Sequence, residues 1–66
     1  MEFEIIFDRE EDGRWIAEIA RLPGVLAYGD SKLEAQSKVE ALALRVIADQ
    51  IEKEKSLAGS VRFAAA

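Results

Sequence analysis

The chain has 66 residues, a formal net charge of −4 and neither cysteine nor histidine, so it lacks a disulfide framework and the usual thiolate and imidazole metal ligands. A domain of this size buries only about 60% of the surface its unfolded chain exposes, which leaves self-association as the route to further stability. The acidic balance argues against phosphate-backbone binding, which needs clustered lysine and arginine, and suits a basic partner.

Phe3, Ile5 and Phe7 fall at period two with Glu2, Glu4 and Asp8 on the opposite face, the pattern of a half-buried first strand. Ile6 interrupts that alternation and puts an apolar side chain on the second face, where another subunit can cover it. Arg9 to Gly13 is a short polar connection whose glycine supplies the positive φ of a hairpin turn. The returning strand runs from Arg14 to Ile19, with Trp15, Ala17 and Ile19 on one face and Ile16 and Glu18 on the other. Trp15 therefore reads as a core residue. Pro23 cannot donate to a ladder and Gly24 tolerates turn geometry, so Leu22-Pro23-Gly24 ends this strand. A short third strand, Val25 to Tyr28, stops at Gly29-Asp30.

Ser31 and Glu34 have capping-box spacing and open a helix. Leu33, Ala35, Val39, Leu42, Ala43, Val46, Ile47 and Ile51 recur at three- and four-residue steps, a stripe about six turns long that predicts a helix laid on the sheet. Glu34 with Lys38 and Asp49 with Lys53 are i,i+4 pairs on its outer side, and Lys53 and Lys55 complement its negative C-terminal end. Ser56 to Gly59 breaks the pattern. Ser60 to Ala65 alternates again, with Val61 and Phe63 on one side and Arg62 on the other, and predicts a fourth strand. The expected fold is one α+β domain spanning residues 1–66, in the order β-β-β-α-β, with an antiparallel sheet of three or four strands backed by one long helix.

No apolar run approaches the roughly 20 residues that span a bilayer, and Met1-Glu2 lacks the basic region and apolar core of a signal peptide, so a cytoplasmic protein off the membrane is expected. The absence of cysteine agrees with a reducing compartment. Glu10, Glu11 and Asp12 form an acidic loop able to steer a basic protein, and Tyr28 and Asp30 add candidate contacts at the far end of the third strand. Ile6, Val61 and Phe63 are candidates for a homo-oligomer interface, because a short uncharged edge is a template for strand addition; a dimer or tetramer would result. Asp8, Glu10, Glu11, Asp12, Asp30 and Glu34 also permit a metal-dependent nucleic-acid enzyme. Four of those six sit in or beside one hairpin loop, where carboxylates are ordinarily solvated, and no histidine or cysteine is present as base or nucleophile. No catalytic, cofactor or metal residue is assigned, and a non-enzymatic binding role is expected.

Glu11-Asp12-Gly13-Arg14-Trp15-Ile16-Ala17-Glu18-Ile19, then Leu22-Pro23-Gly24, then Tyr28-Gly29-Asp30-Ser31 with Glu34-Ala35 resembles, in order and spacing, the HicB-like antitoxin domain. The likeness covers residues 1 to about 55. It implies a partial RNase H-like fold in which Gly13, Trp15, Pro23, Gly24, Gly29, Ser31 and Glu34 are structural. It also implies an antitoxin that holds a small basic RNA-cleaving toxin of the HicA kind inactive. Members often carry a C-terminal DNA-binding segment for which this chain is too short, so no direct nucleic-acid binding is expected. Val25 stands where members often have cysteine, and Ala20-Arg21 replaces a more usual proline-acidic pair, departures that fit a divergent solitary branch. An orphan homo-oligomer without a toxin is the alternative.

Overall fold

In the computed structural model, which describes residues 1–65, the period-two stretch forms β1 (Glu2–Arg9), with Phe3 and Ile5 buried and Phe7 half-buried. β2 (Trp15–Ile19) returns antiparallel to it, pairing Ile5 with Ile19, Phe7 with Ala17 and Arg9 with Trp15. The hairpin closes as a tight turn with a glycine bulge: the Gly13 N–H donates to the Glu10 carbonyl at 2.9 Å, the Glu10 N–H to the Arg14 carbonyl at 2.8 Å, and Gly13 has φ 91°. Pro23 and Gly24 are the two central residues of the turn before β3 (Leu26–Gly29), where the Val25 N–H donates to the Leu22 carbonyl at 3.0 Å. Gly24 has φ 84°, the value that position of a type II turn requires. β3 starts one residue later than the sequence suggests. Val25 lies buried ahead of it, and its carbonyl accepts the Ile19 N–H.

Ser31 is the N-cap of α1 (Lys32–Glu54), whose 23 residues bury Ala35, Val39, Ala43 and Ile47 at four-residue steps. Leu42, Val46 and Ile51 pack partly against the same core. Leu33 does not belong to the stripe and is 76% exposed, because a residue two positions before Ala35 lies on the opposite side of the helix. α1 packs chiefly across β3 and β2.

β4 (Arg62–Ala65) joins the free edge of β1 in parallel, pairing Glu2 with Arg62 and Phe3 with Phe63. The sheet is therefore mixed, in the order β3-β2-β1-β4, which corrects the expectation of an antiparallel sheet. The cause lies in the crossover: β3 runs the same way as β1, α1 carries the chain back across the face, and the next strand must then run parallel to β1. β4 is also shorter than the expected Ser60–Ala65. Val61 precedes it half-buried, the Arg62 N–H donates to the Met1 carbonyl at 2.9 Å, and the Met1 ammonium donates to the Ser60 carbonyl. The Phe3 and Phe63 rings stack with centroids 5.9 Å apart. The core thus lies between α1 and one sheet face. The other face carries no covering layer among the described residues.

Candidate functional site

Antiparallel pairing places the residues singled out in the sequence at one end of the sheet. Arg9 opposes Trp15 and Trp15 opposes Gly29, so the hairpin loop, the end of β3 and the start of α1 all meet there. Glu10, Glu11, Asp12, Tyr28 and Asp30 are exposed at or beside this end. The aromatic rings around it are capped by cations: Arg9 lies 5.1 Å from the Trp15 ring centroid, Lys32 4.6 Å from that of Phe7, and Arg14 4.7 Å from that of Tyr28. Trp15 is half-buried against the core, as its strand face predicts.

The carboxylates of this end are not equivalent. Asp12 accepts from the Arg14 backbone N–H at 3.0 Å and from its guanidinium at 2.8 Å. The backbone bond, with help from the guanidinium, holds the Asp12 carboxyl below its ordinary range. Glu34 folds back over the start of the helix, where it accepts the Asp30 N–H at 3.1 Å and the Lys38 ammonium at 3.3 Å; the Asp30 N–H is the larger cause of its lowered pKa. This is a displaced capping box. Ser31 Oγ accepts the Glu34 N–H at 3.1 Å, as the spacing predicts, while the reciprocal bond reaches the residue before the cap. Among the described residues, no three acidic side chains converge as a metal-ligating group. Glu10 and Glu11 remain at the surface without an ion pair among the described residues.

Gly29 has a steric role that its sequence position does not reveal. A Cβ there would lie 2.5 Å from the Ala35 nitrogen and 3.0 Å from its Cα, so the end of β3 rests directly on the first turn of α1.

The feature that sequence reasoning did not assemble is the open sheet face. Register puts Ile6, Glu18 and Leu26 side by side across β1, β2 and β3, and sets Asp8, Ile16 and Tyr28 in a second row beside them. Ile6 is 42% exposed and Tyr28 38%, while Ile16 and Leu26 are half-buried by their neighbours. Glu4 lies on the same face, against Ala64 of β4. Ile6 and Ile16, apolar residues on the outer faces of their strands, are the local signals of this surface; strand pairing brings them together with Glu18 and Leu26. Of the three candidate oligomer residues, Ile6 sits on this face, whereas Val61 and Phe63 pack against the protein's own core. Among the described residues no pocket opens on either face of the sheet, and no helix is long and apolar enough to cross a membrane. No family model, no curated protein and no solved structure matches the chain.

Proposed function

We propose that this chain is a HicB-like antitoxin of the cytoplasm, a homo-oligomeric protein-binding domain that neutralises a small basic RNA-cleaving toxin of the HicA kind. The reading is supported by the way the residues of the resemblance are used. Gly13, Pro23, Gly24, Gly29, Ser31 and Glu34 each make a turn, a close approach or a cap. They build the scaffold and leave the charged side chains at the surface, none of them buried among the described residues. Thirteen acidic residues against nine basic ones give a field that attracts a basic protein and raises its association rate.

The test is co-expression with a small basic HicA-like toxin, followed by size-exclusion chromatography with light scattering and an RNA-cleavage assay. A stoichiometric complex in which cleavage stops is the expected result. A toxin that elutes alone and stays active rejects the proposal.

One observation favours the alternative of an orphan homo-oligomer: β4 is an edge strand that pairs only with β1 among the described residues, and Phe63-Ala64-Ala65 carries no charge to guard its outer side. In that case the same chromatography gives a dimer or tetramer of this chain alone.

A further inference from the structure

We infer that the open sheet face, rather than the acidic hairpin loop, seats the basic partner, with Glu18 at the centre of the contact; this rests on the protein-binding reading above and deepens it. Three features of the face carry the inference.

The first is composition. Ile6, Ile16, Leu26 and Tyr28 form a contiguous apolar set on the two rows that cross β1, β2 and β3, and aliphatic and aromatic groups of this kind make up the desolvated centre of protein interfaces. The hairpin loop holds no comparable apolar group: Glu10, Glu11 and Asp12 are solvated, and Asp12 is already engaged by Arg14. A loop of that kind steers a partner without holding it.

The second is charge. The face bears the carboxylates of Glu2, Glu4, Asp8 and Glu18 against the guanidiniums of Arg14 and Arg62. Arg14 bridges Asp12 at 2.8 Å and Arg62 lies 3.9 Å from Glu2, which leaves Glu4, Asp8 and Glu18 without an ion pair among the described residues. Glu18 stands between Ile6 and Leu26, and Asp8 beside Ile16. A surface presenting lysine or arginine between aliphatic side chains matches this alternation, since the long stems of those residues lie along apolar surface while their heads reach a carboxylate.

The third is what the same charges exclude. A second copy stacked face to face about a two-fold axis would place the Glu4, Asp8 and Glu18 carboxylates of both copies in one interface, with Arg14 and Arg62 already paired to Asp12 and Glu2. Like charges brought together in a desolvated interface are repulsive, so the face selects a basic protein over another copy of this chain. With no pocket among the described residues, the surface also suits a protein better than a small molecule.

The experiment is backbone NMR on the isotope-labelled full chain, titrated first with the HicA-like toxin and separately with a synthetic amphipathic peptide of leucine and lysine. Affinities are measured in parallel for wild type, the Glu4→Lys/Glu18→Lys double variant, and Glu10→Lys/Glu11→Lys as the loop control. Circular dichroism melting checks that the variants fold, and wild-type mapping stands independently of them. The expected result is perturbation of amides in residues 4–8, 16–18 and 26–28, with an affinity loss of about tenfold or more in the sheet variant and a smaller, mainly association-rate effect in the loop variant. Toxin binding that perturbs the helix or the loop instead overturns this inference and leaves the antitoxin reading standing. Peptide binding on the sheet face without any toxin complex keeps the face as a site for basic partners and removes the antitoxin reading. Failure of both ligands to bind rejects both.

Discussion

The two ends of α1 are built on different principles. At its start, Ser31 caps the helix, the Glu34 carboxylate reaches back to the Asp30 N–H, and Gly29 allows β3 to touch the first turn. At its finish, the C-cap is Lys55, a non-glycine residue in the left-handed region at φ 52°, followed by Leu57 at 92% exposure and a second left-handed position at Gly59. The first end is specified by side chains within seven residues of one another, 29 to 35. The second is closed by the backbone, with the Lys55 and Ser56 N–H groups both donating to the Ile51 carbonyl, and the chain beyond it reaches β4, whose only partner among the described residues is β1. Side chains specify the first end, whereas a backbone cap followed by a long-range strand pairing closes the second.

The sharpest way to break this contrast is Gly29→Ala. A methyl group 2.5 Å from a backbone nitrogen forces the strand and helix apart, and we expect a loss of about 3 kcal/mol or more in urea unfolding, enough to leave a domain this small largely unfolded. The opposite end should yield less. Phe63→Ala removes the stack on Phe3 but takes away a side chain that is only half-buried, so a loss of about 2 kcal/mol is expected, with β4 amides exchanging faster than those of β2. The smallest effect has the opposite sign. Lys55→Gly relieves a left-handed conformation in a residue with a Cβ and should stabilise the helix end by up to about 1 kcal/mol, read as a rise in melting temperature. If Lys55→Gly destabilises instead, the finish of α1 is more specifically built than the contrast holds.

The same contrast explains what could be read from the sequence. The hairpin turn at Gly13, the Pro23-Gly24 turn, the Ser31 cap and the buried stripe from Ala35 to Ile47 are short-range signals, and each is realised in the structure. The direction of β4 is not a short-range property. Alternation from Val61 to Phe63 announces a strand, but nothing in those residues says that the partner is β1 or that the pairing is parallel. Leu33 is apolar and close to Ala35, which draws it into the stripe on spacing alone, although helical rotation over two residues turns it to solvent. The acidic loop was legible as a charge cluster, yet its internal division, with Asp12 tied to Arg14 and Glu10 and Glu11 left at the surface, depends on the turn geometry. The open face is the least legible element. Its two rows are drawn from three strands, and within single strands only the outward apolar Ile6 and Ile16 hint at it.

The parallel pairing of β4 with β1 also sets an order of events during synthesis. Glu2 meets Arg62 and Phe3 meets Phe63, so β1 leaves the ribosome some sixty residues ahead of β4 and waits for it before its outer edge is hydrogen-bonded. The β1–β2 hairpin, β3 and the start of α1 can associate through contacts close in sequence, whereas β1–β4 closure requires almost the whole chain and comes late. Throughout that interval the nascent protein displays an unguarded β1 edge, ready to pair with another strand. A partner made alongside it would thus meet an open template before it met the finished sheet.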